Sequence, residues 1–408
     1  MRTNIEIFLV PVCLSAVLGL AGCGDDVALA AGGETGTMSE SEDGDPGDGD
    51  EDPGDGDGDP GDGDGDPGDG DGDSGDGDGD SGDGDGDGDG DGDGDGDGDP
   101  VVDCIAEQFV DGMPPDPGYG DIGVDIGSHC QGSNHQDIEG IERVVFIGDS
   151  VTVGSPPTST EDFYRSVLAE ELSFLFGIDA PNLLWMTANP IEGKALVKED
   201  GDFASCAEWG ARTDDYLAGG MQIADCFSGD DFDKRTLIVT TMGGNDVAAI
   251  AKDSIEGVSE EALWEDVESM LDWQRQMVHW FTDDPEKFPN GVFVVFANVY
   301  EFTDATADLL SCPAAGLAGF DANPEDPAQL IEMMTYINAE YAKLAVETGT
   351  DMVFMFEGFC GHGFHADDPA SQCYRGPDQE TWFDLTCIHP TPTGHHELAD
   401  MFLNVIDE

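Results

Sequence analysis

The chain has 408 residues, with 91 acidic side chains against 13 basic ones, a formal charge of −78. That balance excludes a nucleic-acid binder, because almost nothing is available to neutralise phosphates. The excess is uneven: Gly24 to Pro100 holds 32 acidic residues and no Lys or Arg, whereas residues 101–408 hold 58 acids and 12 bases, a net −46, with ordinary apolar content. The first stretch is too polar to fold, and the second, about 300 residues, can build a full core.

At the N-terminus, Arg2 precedes an apolar run from Ile7 to Leu20. The run is too short for a mature membrane span and suits the h-region of a signal peptide over residues 1–22. It ends in Leu20-Ala21-Gly22-Cys23, which resembles the lipobox of bacterial lipoproteins, although Glu6 is atypical of an n-region. The resemblance implies cleavage before Cys23 and acylation of its thiol. A plain secretory signal that contains a cysteine is the alternative. Acyl chains on Cys23 imply an exported protein held in the cell envelope, at the outer membrane or cell surface, without a transmembrane helix.

Residues 23–100 read as an acidic linker. From Asp43 the sequence repeats Gly-Asp with occasional Pro or Ser. Gly has the most backbone entropy to lose and neighbouring carboxylates repel, so the expectation is a swollen coil spanning on the order of 50 Å or more. Calcium binding is the competing reading. Asp83-Gly84-Asp85-Gly86-Asp87-Gly88 satisfies half of an EF-hand loop, but the alternation places Gly94 where a bidentate Glu belongs.

Residues 101–137 lack periodicity and form a Cys-containing extension. Setting aside Cys13 and Cys23, eight cysteines remain: Cys104, Cys130, Cys206, Cys226, Cys312, Cys360, Cys373 and Cys387. An even number in an exported chain reads as disulfides, and proximity pairs Cys104 with Cys130 and Cys206 with Cys226. A zinc site of Cys130 with His129 and His135, or of Cys360 with His362 and His365, lacks a paired C-x-x-C arrangement. No metal and no cofactor are expected.

From residue 138 onward strand and helix patterns alternate. Val144–Ile147, Leu183–Met186, Leu237–Met242, Val292–Ala297 and Met352–Phe356 read as strands, and Phe163–Phe176, Ala262–Phe281, Leu330–Val346 and Gly394–Val405 as helices. Five apolar strands with helical crossovers predict an α/β domain over 138–408, a three-layer α/β/α sandwich on a five-stranded parallel sheet. Ligands of such folds sit at the carboxyl ends of the strands.

Three motifs fall at such ends. Gly148-Asp149-Ser150-Val151-Thr152-Val153-Gly154 follows the first strand, Gly243-Gly244-Asn245-Asp246 follows the third, and His389-Pro390 precedes the last helix. Singly, each has an ordinary explanation as a helix cap, a turn or a loop. In this order they resemble the G-D-S-x-x-x-G, G-x-N-D and D-x-x-H blocks of the SGNH (GDSL) hydrolase superfamily, over roughly residues 140–408. Cys206-Ala207-Glu208-Trp209-Gly210-Ala211-Arg212-Thr213 resembles the C-S-G-A-x-T block of its secreted bacterial esterases, with Gly193 the alternative to Gly210. No G-x-S-x-G elbow occurs.

The resemblance implies a flavodoxin-like SGNH hydrolase fold and a serine esterase or lipase. Ser150 is then the nucleophile and His389 its base, and the N–H groups of Ser150 and Gly210 with the Asn245 amide form the oxyanion hole. The usual acid lies three residues before the histidine, and that position is Thr386. The expectation is a Ser–His dyad braced by the main-chain carbonyl of Thr386 or Cys387, with Asp384 as the alternative. His395 and His396 read as helix-start residues. The expected partner is a small-molecule, lipid or carbohydrate ester; the only membrane contact is the lipid anchor, there is no nucleic-acid partner, and the chain is monomeric. Carbohydrate deacetylation, thioester cleavage and a non-catalytic surface binding protein are the competing functions.

Overall fold

The computed structural model describes residues 104–110 and 117–408. The expected signal peptide, Cys23 and the expected Asp-Gly linker lie outside the described residues.

Six strands form the central sheet: β1 (Arg143–Gly148), β2 (Glu199–Asp200), β3 (Phe203–Ser205), β4 (Thr236–Thr241), β5 (Val292–Ala297) and β6 (Asp351–Val353), in the order β2-β3-β1-β4-β5-β6. Every pairing is parallel except β2 with β3. The main helices in chain order are α1 (Ser150–Val153), α2 (Tyr164–Phe176), α3 (Leu183–Met186), α4 (Gly244–Glu256), α5 (Glu260–Thr282), α6 (Pro327–Thr348), α7 (Met355–Phe359) and α8 (Pro392–Ile406).

The middle of the sheet is buried on both faces because Val144–Ile147 of β1, Leu237–Val239 of β4 and Val294–Ala297 of β5 are apolar at consecutive positions rather than at alternate ones. Val144 and Phe146 face one layer, against Tyr164 and Leu168 of α2 and Leu398 and Phe402 of α8. Val145 and Ile147 face the other, which holds Val267 and Leu271 of α5 and Ile337 and Tyr341 of α6. The chain winds from β1 outward to β3 and then returns to add β4 on the other side. This places the topological switch point, where such folds bind ligands, at the carboxyl end of β1.

The sheet has six strands rather than five, and Leu183–Met186 is a short helix rather than a strand. Asn182 caps that helix, its side chain accepting from the N–H groups of Leu184 and Trp185, and the place beside β1 goes to Phe203–Ser205. The last strand also ends earlier than expected, at Val353, and Met355–Phe359 turns into α7.

Residues 131–133 of the extension pack on the sheet edge. Phe354 N–H donates to the carbonyl of Gln131 at 2.8 Å and Ser133 N–H to that of Met352 at 2.9 Å. These contacts cover the exposed side of β6, which would otherwise offer unpaired backbone groups. Disulfides join Cys104 to Cys130 and Cys206 to Cys226, as proximity suggested, and also Cys312 to Cys387 and Cys360 to Cys373. Cys130 and Cys360, the thiols of the zinc alternatives, are therefore bonded to sulfur.

Phe402 is fully buried between α8 and the sheet, stacked on Tyr164, whereas Phe174 on α2 is 88% exposed. Phe402→Ala is expected to cost about 3–5 kcal/mol in urea unfolding under non-reducing conditions, and Phe174→Ala less than about 0.5 kcal/mol. Equal losses for the two contradict this packing.

Candidate active site

The site is assembled at the switch point by three loops, each fixed by its own polar contacts. The first follows β1. Gly148 has φ +136°, and a Cβ there meets the carbonyl oxygen of Thr241 at 2.3 Å, so no other residue fits the turn. Asp149 caps α1, its Oδ1 accepting from Val151 N–H at 3.0 Å and from the Thr241 hydroxyl at 3.2 Å. Burial raises the Asp149 carboxyl to about 7. Ser150 opens α1 beneath a cavity.

The second loop follows β3 and carries Gly210. It is tied to the first by Glu208 N–H on the carbonyl of Gly148 and by Trp209 Nε1 on that of Gly154, both at 3.0 Å. The disulfide Cys206–Cys226 anchors its start. Asp246, from the Gly-Gly-Asn-Asp block, accepts from the Thr213 hydroxyl at 3.1 Å and holds its end. Burial raises Asp246 to about 6. Gly210 has φ +76°, a conformation costly for residues with a Cβ. Its N–H and that of Ser150 donate to no acceptor among the described residues. Gly193, by contrast, donates its N–H to the carbonyl of Asn189 at 2.8 Å, which leaves it nothing to offer a ligand. Asn245 gives one amide hydrogen to the carbonyl of Ala211 at 2.8 Å. That bond fixes the side-chain orientation and leaves a second hydrogen for a ligand.

The third loop, residues 382–391, carries His389. Its base is closed by Asp384 N–H on the carbonyl of His389 at 2.9 Å and Thr391 N–H on that of Trp382 at 2.7 Å. The Tyr300 hydroxyl donates to the carbonyl of Ile388 at 2.5 Å, and the disulfide Cys312–Cys387 fastens the tip. His389 Nε2 lies 2.8 Å from Ser150 Oγ, across 239 positions of sequence. Its Nδ1 lies 2.8 Å from the Thr386 hydroxyl, which in turn donates to Asp384 Oδ1 at 2.5 Å. The expected bracing by a main-chain carbonyl of Thr386 or Cys387 is therefore not what the structure contains, and Asp384 does not touch the ring directly. His395 is buried in α8, its Nδ1 accepting from Tyr164 N–H at 3.3 Å, and His396 pairs with Asp162 at 3.0 Å. Both lie in the first turns of α8, and their side chains bond the segment that leads into α2.

Ser150, Asp149, Gly244 and Asn245 form the polar end of the cavity. The rest of its wall is mostly apolar, with Val247 and Ala251 of α4, Phe302 and Leu309 of the loop after β5, and Leu330 and Met334 of α6, and takes in Glu301, Thr303 and Thr335 as well. The arrangement offers a hydroxyl with a base, spare amide donors beside it and an oily channel beyond.

Burial lowers the His389 imidazole to about 4. A base works in its neutral form, and a depressed pKa keeps it neutral to lower pH. The acid limb of kcat/KM is accordingly expected near pH 4 instead of near the ordinary 6.5, and a limb at 6.5 contradicts the buried environment.

Comparison with known proteins bears on the whole domain. The profile of the family described as GDSL-like lipase/acylhydrolase matches residues 144–402. No curated protein is significantly similar to the chain. Among solved structures, an extracellular lipase from Streptomyces rimosus is 18% identical, covering 65% of this chain and 99% of its own, with a TM-score of 0.39. A GDSL-like lipase from Parabacteroides merdae is 17% identical over 66% of this chain and 98% of its own, with a TM-score of 0.38. A G-D-S-L family protein from Veillonella parvula is 12% identical over 65% and 98%, with a TM-score of 0.35. The profile match spans well over half of the chain, from the second residue of β1 to α8, and the chain belongs to the GDSL-like lipase/acylhydrolase family of ester-hydrolysing enzymes.

Proposed function

We propose that this protein is a serine esterase acting on carboxylic esters with an apolar acyl group. The observation that carries the reading is the 2.8 Å contact of Ser150 Oγ with His389 Nε2 beside a mostly apolar cavity that Ser150 lines. Ser150 Oγ attacks the ester carbonyl carbon while its proton passes to His389 Nε2. The carbonyl oxygen becomes an oxyanion and takes hydrogen bonds from Ser150 N–H, Gly210 N–H and the free Asn245 amide hydrogen. Collapse breaks the carbon–oxygen bond to the alcohol, which leaves with the proton from His389. Water, deprotonated by the same nitrogen, then releases the acid and restores Ser150.

The acyl preference follows from the wall. Phe302, Leu309, Leu330 and Met334 favour a chain of several carbons over acetyl, since each buried methylene contributes about 0.8 kcal/mol. The domain's net −46 favours a neutral ester over an anionic one. A panel of p-nitrophenyl esters tests this. Turnover is expected to rise from acetate to longer acyl groups, Ser150→Ala to abolish it, and Asn245→Ala to lower kcat about a hundredfold with the fold intact. Preference for acetate points instead to a deacetylase. No turnover by folded protein points to a binding protein.

We further propose that Cys23 carries a lipid and that residues 23–100 hold the catalytic domain away from the membrane. Four disulfides fit an oxidising compartment. Expressed with its own signal, the chain is expected in the membrane fraction and Cys23→Ser in the soluble fraction. Identical fractionation of the two rejects the anchor.

A further inference from the structure

We propose that Thr386 is a positioning residue that couples Asp384 to His389 through its hydroxyl. The inference rests on the active-site reading above and adds to it the group that orients the base.

The proton count gives the chain of bonds its direction. A carboxylate has only lone pairs to offer, so the single hydrogen of the Thr386 hydroxyl goes to Asp384 Oδ1, at 2.5 Å. What the hydroxyl then presents to His389 Nδ1, 2.8 Å away, is a lone pair. The imidazole must carry its hydrogen on Nδ1, and Nε2 is left bare toward Ser150 Oγ. Without Asp384 the hydroxyl could turn its hydrogen to Nδ1 and leave the ring in the unreactive tautomer. When Ser150 gives its proton to Nε2, the O–H bond of Ser150 breaks and an N–H bond forms; Thr386 keeps its proton and Asp384 stays a carboxylate throughout. The carboxylate faces the imidazolium charge across one hydroxyl.

Asp384 itself is built for this rather than for holding the loop. Both of its hydrogen bonds, from Thr386 N–H at 2.7 Å and from the Thr386 hydroxyl, fall on Oδ1. Oδ2 is buried with no partner among the described residues. Burial raises the Asp384 carboxyl above the ordinary range. Keeping a carboxylate oxygen dry and unpartnered costs stability. The loop is already closed by the backbone bonds of Asp384 and Thr391 and by Cys312–Cys387. Asp384 stands five residues before His389, and the hydroxyl of Thr386 spans the gap.

Steady-state kinetics of Thr386→Val, Thr386→Ser and Asp384→Asn on the best p-nitrophenyl ester test the relay, with Ser150→Ala and His389→Ala alongside. Thr386→Val removes the hydroxyl at nearly constant volume and is expected to lower kcat about a hundredfold, with KM within about threefold. Thr386→Ser keeps the hydroxyl and is expected to retain at least about a third of kcat, a rescue that packing alone does not predict. Asp384→Asn keeps an acceptor and loses the charge, so a loss of about tenfold is expected. The double variant Thr386→Val with Asp384→Asn is expected to match Thr386→Val within about twofold, because one chain is cut once. Thermal unfolding midpoints check that each variant is folded. Full kcat in folded Thr386→Val, or losses that multiply in the double variant, overturns the relay while loss of activity in Ser150→Ala leaves the active site standing. Activity surviving in Ser150→Ala and His389→Ala overturns the active-site reading and the relay together.

Discussion

The contact between Ser150 and His389 is a constraint on the whole domain, because the two residues approach from loops 239 positions apart and both loops must be held in place at once. Ser150 is placed by β1, the central parallel strand, through a turn that only Gly148 can make. His389 is placed by a loop that leans on the segment after β5 through Tyr300 and on the segment before α6 through Cys312. A shift of either loop by an ångström removes the hydrogen bond, and effects of that size on rate are known to be large. The sandwich, with its strands buried on both faces, is the rigid frame that prevents the shift.

Around this contact the fold accepts local costs. Asp149, Asp246 and Asp384 are carboxyls drawn into the interior, and burial pushes all three upward. Asp149 and Asp246 tie site loops through hydrogen bonds to a hydroxyl and a backbone N–H, Asp149 to Thr241 and Val151 and Asp246 to Thr213, whereas the Asp384 carboxyl bonds only Thr386. Two of the four disulfides, Cys206–Cys226 and Cys312–Cys387, begin or end on the loops that carry Gly210 and His389. Desolvated carboxyls at strand ends are a usual mark of functional sites, and their expense is met by the hydrophobic layers beneath.

Much of the fold was legible because strands and helices here follow their simplest patterns. Val292–Ala297 has the same limits in sequence and structure, and the helices at Tyr164–Phe176 and Pro392–Ile406 differ from expectation by one or two residues at the ends. Leu183–Met186 misled because four apolar residues in a row suit a strand or a buried turn of helix equally, and the deciding signal was the Asn182 cap. Phe203–Ser205 was missed for its brevity, three residues with a single large side chain. The motifs at strand ends brought Ser150 and His389 together as read, whereas the Thr386 hydroxyl was not foreseen. Its signal was present in outline, a threonine at the position of the usual acid with an aspartate two residues earlier. Sequence spacing says nothing about which oxygen a loop turns toward a ring.

The most direct test of the account is a structure of the protein reacted with an alkyl phosphonate that mimics the tetrahedral intermediate. The account predicts a covalent bond to Ser150 Oγ, with the phosphoryl oxygen about 2.7–3.1 Å from Ser150 N, Gly210 N and Asn245 Nδ2 and the alkyl chain between Phe302 and Leu330. Modification of another residue, or a phosphoryl oxygen turned away from those three donors, would contradict it.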